Sequence, residues 1–161
     1  QIIYTCNRCG EQKAETLEKL AYPKAGTKYT VAGCQYKVTK AGAEVSLIKA
    51  NKKAKRVTIP AVIKVNGVTY KVTSIGAKAF NGNKKLTKVT IGINIKKISN
   101  NAFYKCRSLK MVTIKSVLLT KKTANKKAFK GVNKKMVIKV PKKVKKVYVK
   151  IFKGVKVNKI I

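Results

Sequence analysis

The sequence predicts a mainly β solenoid with coils of about 23 residues, a short β-rich cap at its N-terminal end and a second cap at its C-terminal end. The main observation is an internal repeat. Residues 75–91 carry the same apolar pattern as residues 98–114, at an offset of 23 positions. Matched apolar positions keep their residue type, whereas the positions between them vary. A fixed period of this length is typical of a solenoid, because each coil buries its apolar residues only against neighbouring coils.

Each coil contains one recognisable strand and one recognisable turn. The Val-Thr-Ile units at 89–91 and 112–114 alternate as a strand does, with valine and isoleucine inward and threonine outward. The Ala-Phe units at 79–80 and 102–103 are expected to form a short turn or 3₁₀ segment that crosses the coil. A weaker third unit follows at 128–129. The residues that these patterns place in the core are Ile75, Phe80, Leu86, Val89, Ile91, Ile98, Phe103, Leu109, Val112, Ile114, Phe129 and Ile138.

The chain divides into four predicted segments. These are an N-terminal CxxCG segment at 1–20, a β-rich cap at 21–56, the repeats at 57–141 and a C-terminal coil and cap at 142–161.

Two hairpins and one terminal strand are predicted outside the clear repeats. Alternating residues on both sides of Gly33 favour a hairpin in the N-terminal cap. Asn66-Gly67, between two short β-type runs, is a strong signal for a second hairpin. The last segment alternates again, which we interpret as a terminal coil and cap, since the last coil of a solenoid has an open strand edge; its apolar residues are Val147, Val149, Ile151, Phe152, Val155, Val157, Ile160 and Ile161.

Lysine dominates the charge of the chain. The 161 residues include 40 basic and 4 acidic side chains, for a net charge of +36, and 37 of the basic residues are lysines. No carboxylate side chain occurs after Glu44. Most lysines must therefore lie unpaired on the solvated surface, since an unpaired buried charge is too costly. Such a surface keeps a protein soluble and attracts polyanions.

The composition argues against an enzyme. The chain has no His and no Asp, which excludes a His-based triad and a paired-carboxylate site that uses Asp. Gly76, Gly82 and Gly92 belong to solenoid turns, and none lies in a phosphate-binding loop motif. We therefore predict neither a catalytic site nor a cofactor.

The four cysteines give only a weak metal signal. Cys6 and Cys9 have the spacing of half a zinc site, but structural zinc usually takes four ligands from two such pairs. A local disulfide or two free thiols are the alternatives. Cys106 occupies the repeat position of Asn83, where we expect it to pack inward or bond the backbone, while the state of Cys34 stays open.

The repeat strings themselves resemble a known family. The runs VTSIGAKAFNGNKKLTKVTIG and KKISNNAFYKCRSLKMVTIKS are similar to the BspA-type leucine-rich repeats of bacterial surface proteins. The resemblance covers roughly residues 57–141. It implies a right-handed parallel β solenoid, export, and display on the bacterial cell surface or secretion. It also implies adhesion or ligand binding rather than catalysis.

The lysine pairs in successive loops are the candidate binding residues. Because a solenoid stacks equivalent loops, we expect one basic band. Its members are Lys84, Lys85, Lys96, Lys97, Lys121, Lys122, Lys126, Lys127, Lys134, Lys135, Lys142, Lys143, Lys145 and Lys146. Expected partners are acidic polymers such as teichoic acid or an acidic glycan, or a host surface protein. Only three arginines and no tryptophan argue against sequence-specific nucleic-acid recognition, though non-specific binding stays open.

Two further expectations concern assembly and the membrane. Copies could stack end to end into a fibre through open solenoid ends, which is the structural alternative to a binding role. No run approaches the length of a membrane helix. We interpret a chain that begins at Gln1 as processed or truncated, so the lack of a signal peptide carries no information about secretion.

Overall fold

The computed structural model describes residues 2–5, 12–15, 22–155 and 157–161, and most of this chain forms a β solenoid. The N-terminal segment contributes a two-stranded antiparallel hairpin. The strands are β1 (Ile2–Thr5), β2 (Gln12–Glu15), β3 (Lys28–Val31), β4 (Cys34–Lys40), β5 (Glu44–Lys49), β6 (Arg56–Ile59), β7 (Val62–Val65), β8 (Val68–Ile75), β9 (Lys88–Ile91), β10 (Lys97–Ile98), β11 (Met111–Ile114), β12 (Val137–Lys139) and β13 (Lys159–Ile160). One α-helix, α1 (Lys145–Ile151), lies in the last coil.

A parallel sheet of five strands forms one side of the solenoid. Its order is β13-β12-β11-β9-β6, so consecutive coils lie side by side. The register aligns one inward residue of every strand in a row made of Val57, Val89, Val112, Ile138 and Ile160, of which the first four are buried and Ile160 is half-buried. The threonines of the Val-Thr-Ile units form the outward row beside it. The predicted alternation of this strand is therefore confirmed.

The second sheet joins the N-terminal cap to the repeats. Its order is β10-β8-β5-β4-β3, and β7 pairs with β8. Leu47, Ile75 and Ile98 are aligned across it, and Ile98 continues through a single parallel bridge to Ala124. Both predicted hairpins are present: β3 turns into β4 at Ala32-Gly33, and β7 turns into β8 at Asn66-Gly67. The N-terminal cap thus extends the second sheet rather than forming a separate layer.

A stack of four phenylalanine rings runs along the core. The ring centroids of Phe80 and Phe103 are 4.7 Å apart, and those of Phe103 and Phe129 are 5.1 Å apart, with nearly parallel planes. Phe152 continues the stack edge-on, 5.8 Å from Phe129. All twelve residues that the sequence places in the core are buried. Phe152 is a further core residue that the repeat pattern did not identify.

The C-terminal coil differs from the alternating strand expected there. Residues 142–151 form a 3₁₀ turn followed by α1, in which Tyr148 and Ile151 are buried while Val147 and Val149 are exposed. Burial at positions three apart is the period of a helix and not of a strand. The period-2 pattern of valines in this segment was therefore misinterpreted, because Tyr148 faces the core and the valines beside it do not.

The chain leaves each phenylalanine through a left-handed residue two positions later. The φ angles there are 66° at Gly82, 55° at Lys105, 74° at Gly131 and 87° at Gly154. Glycine adopts this conformation without the steric cost that a Cβ adds. Of these four residues, Lys105 carries a Cβ and therefore bears that cost.

Gly92 has a different role from these turn glycines. A Cβ at Gly92 would lie 2.7 Å from the carbonyl oxygen of Ile59 in the preceding coil. Glycine is therefore required at this point by close packing between neighbouring coils.

Candidate functional site

The candidate lysines are exposed throughout the solenoid. Of the 40 basic residues, 37 lie at positions 22–161, where Glu44 is the one acidic side chain. Lys96 is paired with it, since its Nζ lies 3.1 Å from Glu44 Oε1, and Thr73 donates a hydrogen bond to the other oxygen. Partial burial raises the pKa of Glu44, but the bonds from Lys96 and Thr73 outweigh that effect and hold it below its ordinary value. Lys96 is thus less available to a ligand than its neighbours.

The lysine pairs occupy several corners of the coil rather than the single band that the sequence predicts. Lys97 lies on β10, and Lys121-Lys122 approach the same sheet, just before the bridge at Ala124. Lys85 and Lys135 lie instead on the approach to the five-stranded sheet, where their amides donate to the side chains of Asn83 and Asn133. The pairs between 142 and 146 lie on the terminal 3₁₀ turn and α1. The pairs lie at different points around the coil because they occupy different positions of the repeat.

Four lysines surround a groove between the last two coils. The groove has a volume of about 480 Å³. Its charged groups come from Lys126, Lys127, Lys130 and Lys134, and its apolar lining from Phe129, Val132 and Val155. None of the lining residues carries a carboxylate. The groove therefore combines concentrated positive charge with an apolar floor.

Local hydrogen bonds position the walls of this groove. Asn125 accepts a 2.9 Å hydrogen bond from the amide of Lys127 and caps the 3₁₀ turn Lys126–Phe129. The left-handed residues Gly131 and Gly154 turn the chain away from the core on either side. Lys126 and Lys127 precede Ala128-Phe129, and Lys130 follows Phe129, so the buried ring anchors all three at the rim.

A profile of the BspA type leucine rich repeat region matches residues 51–161, in six copies. The chain belongs to this family. The match extends beyond residues 57–141 and includes the C-terminal coil, which agrees with Phe152 continuing the phenylalanine stack.

Solved structures from Faecalibacterium and Bacteroides are similar to this leucine-rich repeat chain. A leucine rich cell surface protein from Faecalibacterium prausnitzii is 26% identical, with 85% of this chain and 33% of that chain covered and a TM-score of 0.49. A leucine-rich repeat protein from Bacteroides ovatus is 24% identical over 70% and 36% of the two chains, with a TM-score of 0.49. A third, from Bacteroides capillosus, is 20% identical over 71% and 98%, with the same score.

The chain spans about a third of the length of the first two. No curated protein matches it.

The turns that follow Phe80 and Phe103 are each closed by a side chain that hydrogen-bonds the backbone. Asn83 accepts hydrogen bonds from the amides of Lys85 and Leu86 through Oδ1. In the next coil, Cys106 is fully buried and its Sγ donates to the carbonyl oxygen of Phe80 at 3.0 Å. Burial raises the pKa of the Cys106 thiol to about 11. The expected structural role of Cys106 is therefore confirmed.

The other cysteines give no metal centre within the residues that can be placed. Cys34 is buried, and its sulfur accepts a hydrogen bond from the amide of Asn51. The candidate pair Cys6 and Cys9 lies outside the described residues. Among the described residues, no three His, Cys, Asp or Glu side chains lie close enough together to hold a metal ion.

A second groove lies at the opposite end of the solenoid. It has a volume of about 330 Å³ and lies between the hairpin β3–β4 and the edge strand β6. Its lining is largely apolar, with Arg56 as its basic residue. Burial raises the pKa of the Tyr36 phenol, which faces this groove, to about 12.

Sequence reasoning identified part of the main groove. Lys126, Lys127 and Lys134 belong to the predicted pairs, whereas Lys130 was missed because it stands alone in sequence. The sequence did contain a signal for Lys130, because Phe129-Lys130-Gly131 recurs as Phe152-Lys153-Gly154.

The described part of the chain has no helix of the length and apolarity needed to cross a bilayer.

Proposed function

We propose that this chain is the repeat region of a secreted or surface-displayed bacterial protein that binds acidic polymers through lysine and does not act as an enzyme. Membership of the BspA-type family supports an interaction role at the cell surface. The name of the Faecalibacterium prausnitzii protein, a leucine rich cell surface protein, is in keeping with that location. A host surface protein with an acidic face is the other partner class that this surface would fit.

The observation that carries the proposal is the imbalance of charge on the solenoid. A single carboxylate faces 37 basic side chains over residues 22–161, and it is already occupied by Lys96 and Thr73. Lysines without intramolecular partners are neutralised in solution by mobile counterions. A polyanion that replaces several of those counterions at once gains their entropy of release. Teichoic acid, an acidic glycan or a nucleic acid backbone could each supply the negative charge.

The test is the salt dependence of binding. Affinities for a teichoic acid, heparin and mixed-sequence DNA would be measured by isothermal titration calorimetry at several salt concentrations. If about four charges are neutralised, affinity should fall on the order of 50-fold between about 50 and about 200 mM salt. Neutral dextran is the control and should not bind. Binding that is insensitive to salt, or confined to one nucleic-acid sequence, would contradict the proposal.

A fibre is the second candidate, because the five-stranded sheet ends in two edge strands. In the described part of the chain, β6 and β13 each pair on one side only, so β13 of one copy could continue the sheet beside β6 of another. Two features oppose this contact. Lys159 and Arg56 occupy the same aligned position of the sheet, so the contact would bring two positive charges together. The hairpin β3–β4 also lies next to the free edge of β6, where the second copy would have to bind. Multi-angle light scattering should therefore give a monomer at low salt, and a mass that increases with salt would favour the fibre.

A further inference from the structure

The groove between the last two coils differs from the rest of the lysine-rich surface, and this inference rests on the proposed function. At the other end of the solenoid, Lys49, Lys52 and Lys53 line a groove of about 310 Å³, but no valine or aromatic side chain lines it. In the groove between the last two coils, Lys126, Lys127, Lys130 and Lys134 surround a concave space with an apolar floor. A volume of about 480 Å³ is within the range of ligand pockets, roughly 300–1,000 Å³. The groove is only partly enclosed, so one unit of a polymer could be held inside it while the rest of the polymer stays outside.

The charged groups of the groove favour a tetrahedral oxyanion. All four are lysines, whose ammonium groups act as compact point charges with donors that can be directed to different oxygens. Arginine would instead present the planar fork that matches a carboxylate with two parallel hydrogen bonds. A phosphate or sulfate group has three or four oxygens directed to different sides, which suits several separate ammonium groups. The lysine-only rim therefore discriminates against a planar carboxylate.

The apolar floor favours an aliphatic carrier over a nucleobase. Val132 and Val155 are half-buried and present aliphatic surface. Phe129 is only 3% exposed, because its faces are occupied by Phe103 and Phe152. Single-stranded nucleic acids bind proteins largely through bases that stack on aromatic faces, and this groove offers none. Methylene and methine groups of a polyol or sugar could instead lie against the two valines.

We infer that the groove is a specific subsite for one tetrahedral oxyanion ester on a non-aromatic carrier. Two sources share that chemistry: the phosphodiester of a polyol-phosphate polymer and the sulfate ester of a glycan. The remaining lysines would provide diffuse attraction for the rest of the polymer. Affinity would then depend on the groove far more than on an equal number of lysines elsewhere.

The experiment compares two variants that lose the same charge. The groove variant carries Lys126→Gln, Lys127→Gln, Lys130→Gln and Lys134→Gln. The control variant carries Lys84→Gln, Lys85→Gln, Lys142→Gln and Lys143→Gln, which are exposed and lie outside the groove lining. Both should retain the wild-type circular dichroism spectrum and melting temperature, because exposed charges contribute little to stability. Probes of equal charge would be poly(glycerol phosphate), dextran sulfate, hyaluronan and mixed-sequence single-stranded DNA.

The expected result is a loss confined to the groove variant. Its affinity for poly(glycerol phosphate) or dextran sulfate should fall at least about tenfold, and the slope of log affinity against log salt should decrease by about three. The control variant should lose no more than about threefold. The stronger of these two probes identifies the source of the oxyanion. Wild-type preference for hyaluronan or DNA would overturn the inference.

The outcomes separate this inference from the proposed function. Wild-type binding with equal losses in both variants would overturn the subsite and leave general lysine-mediated binding intact. Wild-type protein that binds none of the probes would overturn both.

Discussion

The two central coils and the C-terminal coil solve the same packing problem with different backbones. In the central coils, β9 pairs with β11 at four aligned positions, and Phe80 and Phe103 stack with an interplanar angle of 20°. In the C-terminal coil, the shorter strand β13 aligns at two positions, and α1 precedes Phe152, whose ring is turned to 81° from that of Phe129. The core position is kept, while the segment that leads to it changes from a turn to a helix.

This difference shows what a coil must provide and what it may vary. Each of the four coils from Phe80 onward supplies one aromatic ring and one short strand, because neighbouring coils are its packing partners. Among the described residues, the last coil pairs with a neighbouring coil on one side, where β13 aligns with β12. Tyr148 ties this coil to an earlier segment of the chain. Its hydroxyl donates a 2.9 Å hydrogen bond to the carbonyl oxygen of Ser116 and accepts a 3.2 Å hydrogen bond from the amide of Leu119. A side-chain clasp thus replaces part of the missing sheet pairing.

The largest expected effect is the loss of a central ring. Phe103→Ala should lower the free energy of unfolding by about 3–5 kcal/mol, because Phe103 is fully buried between two other rings. Urea denaturation followed by circular dichroism measures this loss. A loss below about 1 kcal/mol would mean that the phenylalanine stack does not stabilise the solenoid.

Phe152→Ala is the matched substitution in the terminal coil. Its effect should be smaller and local, since a terminal coil can open without its neighbours. Hydrogen exchange should show faster exchange in α1, with unchanged protection of β9 and β11. Equal global losses for the two variants would contradict the distinction between central and terminal coils.

An intermediate effect is expected from the tyrosine clasp. Tyr148→Phe leaves the carbonyl of Ser116 and the amide of Leu119 buried without this partner, which should cost about 1–3 kcal/mol. Urea denaturation again measures the change. Tyr104→Phe is the control on a half-buried tyrosine and should change stability by less than about 0.5 kcal/mol. The interpretation fails if the two substitutions have the same effect.

The smallest effect at neutral pH is expected at Cys106. Cys106→Asn restores the residue of the preceding coil and should change stability by less than about 1 kcal/mol. The difference in stability between the wild-type protein and Cys106→Asn should change at alkaline pH. Burial raises the pKa of the thiol from 9.0 to about 11, so its contribution to stability is fully present below about pH 9 and is lost as the pH rises through 11. The loss can reach about 1.4 kcal/mol per pH unit.

Chemical denaturation of both proteins at several pH values checks this prediction. Lysine deprotonation affects the two proteins alike, so the difference between them isolates the thiol. A difference that stays constant from about pH 8 to about pH 11 would contradict it.

The sequence by itself determined the period, the strand of each central coil and the fact that most lysines are unpaired. These follow from local alternation, from the 23-residue repeat and from a count of charges. Both hairpins were equally visible, because Asn-Gly and the residues around Gly33 favour turns locally.

Only the tertiary structure decided the C-terminal helix, the place of Phe152 and the grouping of the lysines. The valines around Tyr148 have the period of a strand, and only packing against Ser116 and Leu119 selects the tyrosine face as the buried one. Likewise, Lys130 joins Lys126, Lys127 and Lys134 because a 3₁₀ turn at 126–129 and the left-handed Gly131 bend this segment, and Val155 of the last coil lines the same groove. Sequence spacing fixes what each coil buries, whereas the residues that meet around a groove depend on how neighbouring coils stack.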